Sequence, residues 1–177
     1  ADQVDALMAG KVERAELVLN DPAHSSLVDE AADELGLTLA ALVNALDPEA
    51  VVGTLPNGLR YYIRPNGKPA RRAELRLVVK AGSVLEDPDQ LGLAHFVEHM
   101  QFEGTRHFPG QSITDFLSSL GLSIGPDANA ATSYDDTQYT LRVPTDVPGV
   151  LDRALLVLED WAQGATFDQS GIDRERG

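Results

Sequence analysis

The pentad His95-Phe96-Val97-Glu98-His99 constrains this chain more than any other stretch, because its polar groups can act together only on a helix. Residues at i, i+3 and i+4 share one helical face, so both imidazoles and the Glu98 carboxylate would converge on one point. Only four histidines occur in 177 residues (His24, His95, His99 and His107), and two of them fall here. Gly92-Leu93-Ala94 leads in and Met100-Gln101-Phe102 follows, so the polar groups stand in apolar surroundings, where ionisable side chains need partners. A metal ion is one such partner. Two histidine nitrogens can hold Zn²⁺, which acidifies a water, and the glutamate beside them can take that water's proton. The chemistry this serves is hydrolysis of an amide bond. Chance occurrence on an exposed helix is the competing reading, since short motifs carry false positives.

Charge and composition narrow the field. With 14 basic and 28 acidic residues the net charge is -14, which argues against nucleic acid and anionic membrane surfaces as partners. There is no cysteine, so disulfides, thiolate zinc sites and cysteine nucleophiles are excluded while the redox compartment stays open. No stretch approaches the ~20 apolar residues of a membrane span. Ala1-Asp2-Gln3 fits a mature start after cleavage at small residues.

Residues 1–48 read as a helical, acidic N-terminal extension. Val12, Ala15, Leu17, Val18 and Leu19 cluster in a first helix, and Leu27, Val28, Ala31, Leu35 and Leu39 in a second. From residue 49 the pattern changes. Val51 to Leu55 and Leu59 to Arg64 flank Pro56-Asn57-Gly58 as a hairpin. Ala73 to Lys80 begins with strand-like alternation, and the loop Glu86 to Gln90 delivers the chain to a helix over Leu91–Phe102. Ile113, Phe116, Leu117 and Leu120 mark another helix, two strands follow around Asp135-Asp136, and Val147–Gly164 is a long helix. A last helix starts near Gly171 and stops with the chain, so the C-terminus reads as incomplete. Periodicity alone supports a mixture of α and β. Glu103, Asp127, Asp135 and Asp136 read as solvated loop acids without a role.

Several motifs in order resemble the M16 (pitrilysin-type) zinc metallopeptidases, whose signature is the inverzincin His-x-x-Glu-His. These are Leu55-Pro56-Asn57-Gly58-Leu59-Arg60, Gly92 to Met100, Phe102-Glu103-Gly104-Thr105, Asn129 to Thr137 and Ile172 to Arg176. The resemblance runs from about Gly53 to Gly177 and implies an α+β fold, a mainly antiparallel sheet with helices packed on one face. It makes residues 49–177 the N-terminal part of such a domain. It implies Zn²⁺ as cofactor, His95 and His99 as ligands and Glu98 as general base. Asn129 and Ala130 would lie on a strand edge that receives substrate backbone. The family's third ligand is a glutamate farther along the chain, and counting alone selects Glu175. Motif reading instead makes Glu175 a group behind the ligands and puts the third ligand beyond Gly177, which would leave this chain weakly active or inactive.

The resemblance further implies peptide or unfolded protein as substrate, a second M16-like domain or subunit as partner, and a periplasmic or secreted location. The competing function is a non-catalytic module that binds peptides or a partner. A ribosyl-homocysteine lyase shares the pentad but employs a cysteine, which this chain lacks.

Overall fold

A hairpin opens the well-patterned part of the chain. Strands β2 (Val51–Thr54) and β3 (Arg60–Pro65) pair antiparallel. Gly58, at a φ of 89°, closes the turn by donating to the Leu55 carbonyl, and Asn57 Oδ1 accepts the Leu59 N–H at 3.1 Å. Left-handed φ at that position is what glycine supplies without steric cost. The structure, a computed structural model, describes residues 51–66 and 68–176, together with the backbone of 12–19.

Six strands form one sheet in the order β2-β3-β1-β4-β6-β5, where β4 is Arg72–Val79, β5 is Ala128–Thr132 and β6 is Thr137–Pro144. The strand β1, Val12–Leu19, lies between β3 and β4, parallel to the first and antiparallel to the second. Every other pairing is antiparallel. This corrects the helical reading of that segment. Glu13, Ala15, Leu17 and Leu19 alternate with Arg14, Glu16 and Val18, so the octet satisfies a period of two as well as a helical cluster. Its register sets Leu17 opposite Ile63 and Leu75, both buried, and pairing on both sides decides the outcome. The second helix expected across Leu27 to Leu39 lies outside the described residues.

Among the described residues there are four α-helices: α1 (Leu93–Glu103), α2 (Ser112–Ser119), α3 (Val150–Gln163) and α4 (Gln169–Arg176). Helices α1 and α3 each begin two or three residues later than their apolar pattern, because Gly92 and Gly149 sit at φ of 87° and 74°. Along α3, Leu151, Ala154, Leu155, Leu158 and Trp161 recur at helical spacing and are buried. They meet Tyr61 and Ile63 of β3, Leu75 and Leu77 of β4, and Tyr139 and Leu141 of β6 in one core. Each leucine or isoleucine among them contributes about 1.5–3 kcal/mol on burial. The result is the α+β arrangement expected, helices on one face of a mainly antiparallel sheet.

The opposite face carries charge. Glu74 stands directly across from Arg142 and accepts from its Nε at 2.8 Å, while Arg76 Nη2 reaches the other oxygen at 2.6 Å. Burial alone would push the Glu74 carboxyl up, but its hydrogen bonds and charge contacts with Arg142 and Arg76 outweigh that and hold it below the usual carboxylate range. A depressed folded pKa contributes stability that is present above the unfolded value and is lost as pH falls through the folded one. Glu74→Gln is therefore expected to cost about 1 kcal/mol at pH 7, a figure kept small by solvent screening of the two arginines. Melting curves between pH 7 and pH 3 should show the difference from the parent chain closing below about pH 4. A gap that stays constant across that range would remove Glu74 from the balance.

Candidate metal centre

Helix α1 is positioned by contacts that join distant parts of the chain. Gly92, at its N-terminal boundary, offers no side-chain cap, and the Glu86 carboxylate takes that role from the preceding loop. Its two oxygens accept the N–H groups of Gly92 and Ala94, each at 2.8 Å. A carboxylate there satisfies two orphan donors and complements the positive end of the helix dipole. At the other end, Trp161 Nε1 donates to the Gln101 carbonyl at 3.2 Å. Just beyond α1, the buried Asp160 accepts the Thr105 hydroxyl at 2.6 Å and the His107 N–H at 2.8 Å, while His107 Nδ1 stands 2.8 Å from its other oxygen. Both ends of α1 are thus fixed.

On this helix the pentad adopts the geometry its spacing demands. His95 Nε2 and His99 Nε2 face one another at 3.1 Å, with the rings nearly perpendicular. Glu98 is buried, and its Oε2 accepts the Thr132 hydroxyl at 2.5 Å. Beneath it, burial and then the nearby Glu98 charge push the Tyr139 phenol well above its ordinary pKa, so it stays protonated. Glu175 approaches His99 from behind: its Oε2 lies 2.7 Å from Nδ1, the ring nitrogen on the far side from His95.

Donor type and spacing can be tested against zinc. Two nitrogens on one tetrahedral zinc, each at about 2.0–2.1 Å, stand about 3.4 Å apart. The observed 3.1 Å is close to that separation. Imidazole pairs of this kind suit the ion, and a carboxylate on the outer nitrogen fixes tautomer and ring orientation. Among the described residues, however, no group of three His, Cys, Asp or Glu converges to hold a metal. The pair fits; a third donor is not supplied by these residues.

Helix α4 reaches the site through two adjacent side chains. Arg174 pairs with Glu103 at 2.5 Å, and Glu175 meets His99, one turn earlier on α1. Close approach is possible because of Gly171, where an added Cβ would stand 3.2 Å from Met100 Cε and 3.3 Å from Glu103 Cβ. Glu103 is therefore no solvated loop acid. It lies on α1 with its side chain largely buried, four residues past His99, and that spacing was the signal for its role. Asp127 and Asp136 also have local partners, accepting from Ser123 N–H and Ser133 Oγ respectively.

Asn129 and Ala130 lie on β5, which is the edge of the sheet among the described residues. Arg142 N–H donates to the Asp127 carbonyl, so alternation turns Asn129 and Ala131 towards β6 and leaves the main-chain groups of Ala130 and Thr132 facing outward. Among the described residues Ala130 N–H meets the Asn129 side-chain oxygen alone, at 3.0 Å. Two residues on, Thr132 touches Glu98, a contact no local pattern announces.

Comparison with known proteins shows the family. Residues 62–177 match the family described as "Insulinase (Peptidase family M16)". The chain is 41% identical over 131 residues to the "Probable zinc protease PqqL" of Escherichia coli K12, covering 74% of this chain and 14% of that protein. It is 44% identical over 137 residues to the "Zinc protease PQQL-like" of Arabidopsis thaliana, covering 77% and 14%. The crystal structure of the first half of the periplasmic protease PqqL from Escherichia coli superposes with a TM-score of 0.70 at 41% identity, covering 74% of this chain and 28% of that one. The chain thus spans about one-seventh of the length of these two relatives, 14% in each case. Pentad, sheet, helix order and the match across residues 62–177 together make this chain a member of the insulinase family, peptidase family M16.

Proposed function

We propose that this chain contributes the zinc-binding and proton-transfer groups of an endopeptidase that hydrolyses peptides or small unfolded proteins. The observation that carries the reading is the 3.1 Å approach of His95 and His99 Nε2 with Glu98 on the same helical face. Zinc held by these two histidines would supply Lewis acidity, polarising a peptide carbonyl and acidifying water. Glu98 Oε1, unengaged by any described side chain, takes the proton from the attacking water and returns it to the departing amine. Glu175 holds the His99 ring and keeps Nε2 basic, acting behind the ligand and not as one. Asn129 and Ala130 offer an open strand edge on which an extended peptide adds by main-chain hydrogen bonds, so length and shape matter more than sequence.

The wider setting rests on the relatives. A second M16-like half would enclose the peptide, as the description of one solved relative as a first half suggests by analogy. A periplasmic or secreted location follows the Escherichia coli protease described as periplasmic. No described helix is long and apolar enough to cross a membrane. The alternative, a non-catalytic peptide- or partner-binding module, is favoured by one fact: no third donor joins the pair among the described residues. On that count this chain alone would hold zinc weakly.

Calorimetric zinc titration separates the possibilities. One-to-one binding is expected, lost in His95→Ala and weakened about 10–100-fold in Glu175→Gln, as for a group that orients a ligand. Loss in Glu175→Gln as complete as in His95→Ala would make Glu175 the third ligand. No difference between His95→Ala and the parent chain would remove the metal reading.

A further inference from the structure

Glu98 depends on one hydroxyl. Among the described residues its buried carboxylate has a single hydrogen-bond partner, Thr132 Oγ1 at 2.5 Å. Thr137 Oγ1 lies 3.2 Å from that hydroxyl and donates to the Ala81 carbonyl at 2.8 Å. Counting protons fixes the directions. Each threonine hydroxyl has one. Thr137 spends its proton on Ala81 and Thr132 spends its own on Glu98, so neither proton lies between the two hydroxyls, which pack against each other without a shared hydrogen bond. Thr137 is buried and stands directly across from Thr132 in the sheet, so the pairing of β5 with β6, and not a second hydroxyl bond, holds Thr132 in place. A hydroxyl–carboxylate bond of this length is of the short, charge-assisted kind.

We propose that Thr132 is the positioning residue for Glu98, fixing Oε2 so that Oε1 alone faces the reacting water. This rests on the reading of Glu98 as the base. Thr132 also belongs to β5, the strand edge offered to peptide, and lies two residues past Ala130. One strand therefore sets both where an added strand would lie and where the carboxylate points. The base is registered to the substrate through the sheet, in addition to its own helix. A side chain that lost this bond would leave a buried carboxylate oxygen unpaired and free to rotate.

The test uses the whole protein with a fluorogenic peptide and compares Thr132→Val, Thr132→Ser and Glu98→Gln. Valine keeps the shape and removes the hydroxyl; serine keeps the hydroxyl and removes the methyl. Misplacement of a reacting group by about 1 Å costs about a hundredfold. Thr132→Val is accordingly expected to lower kcat by tenfold or more with KM within about twofold, and Thr132→Ser to recover most of the loss. Zinc affinity in calorimetry should be unchanged in both variants, which separates misplacement of Glu98 from damage to the histidine pair. The proposal is overturned if Thr132→Val loses less than tenfold, if serine is as impaired as valine, or if the change falls on KM alone. Should the valine variant not fold, Thr132→Ala is judged by the same threshold. Full activity in Glu98→Gln would instead overturn the reading of Glu98 as base, a different failure from that of Thr132.

Discussion

Glu98→Gln is expected to lower kcat for peptide hydrolysis by the whole protein about 10²–10⁴-fold, the usual contribution of a general base. That corresponds to about 3–5 kcal/mol of lost transition-state stabilisation. The amide is almost isosteric and can still accept the Thr132 hydroxyl through its oxygen, so the helix and the histidine pair should be undisturbed. Zinc affinity should accordingly change by no more than a few-fold, and KM little, because the proton is needed only as the water attacks. Steady-state kinetics beside a zinc titration make the measurement. Retention of more than a tenth of the parent kcat would mean that another group takes the proton. His99→Ala should behave differently, losing metal and activity together.

The largest structural effect is expected at Trp161. It is wholly buried, stacks at an angle against Phe102 of α1 and Tyr139 of β6, and donates to the Gln101 carbonyl. Sheet, α3 and α1 therefore meet at this one side chain. Trp161→Ala removes that packing, leaves a cavity and orphans a helix carbonyl, and is expected to cost about 3–5 kcal/mol. In a domain of this size that lowers the melting temperature by about 10 °C. Trp161→Phe keeps most of the packing and loses only the donor, for about 1–2 kcal/mol. Thermal melts of both variants give the answer, and a cost below about 1 kcal/mol for alanine would show that α1 is held by its other contacts.

Much of the fold was legible because it is written in local periods. The β2–β3 turn needs Asn57-Gly58, β4 begins by alternating, and α3 repeats its apolar residues at helical spacing. Helix starts were missed by two or three residues where glycine takes left-handed φ, since apolar patterning does not register backbone handedness. The strand β1 was misread for a deeper reason. Val12–Leu19 is compatible with either period, and partners 46 to 67 residues away select between them. The same division applies to the site. A pentad at i, i+3 and i+4 is a property of one helix and can be read from five letters. The contacts of Thr132, Trp161 and Glu175 with α1 join residues 34, 60 and 76 apart, and only the assembled fold brings them together.

Gly171 turns the gap between α1 and α4 into a fixed dimension. With Met100 and Glu103 already about as near as a side chain there could tolerate, the two helices rest against each other like machined faces with no shim between them. Arg174 and Glu175 are held at the height from which both can span to α1. The reach of a carboxylate is short and cannot stretch to follow a receding helix. A hydrogen atom at position 171 thus sets the tolerance to which the His99 ring is aligned, although it touches neither the imidazole nor the carboxylate that aligns it.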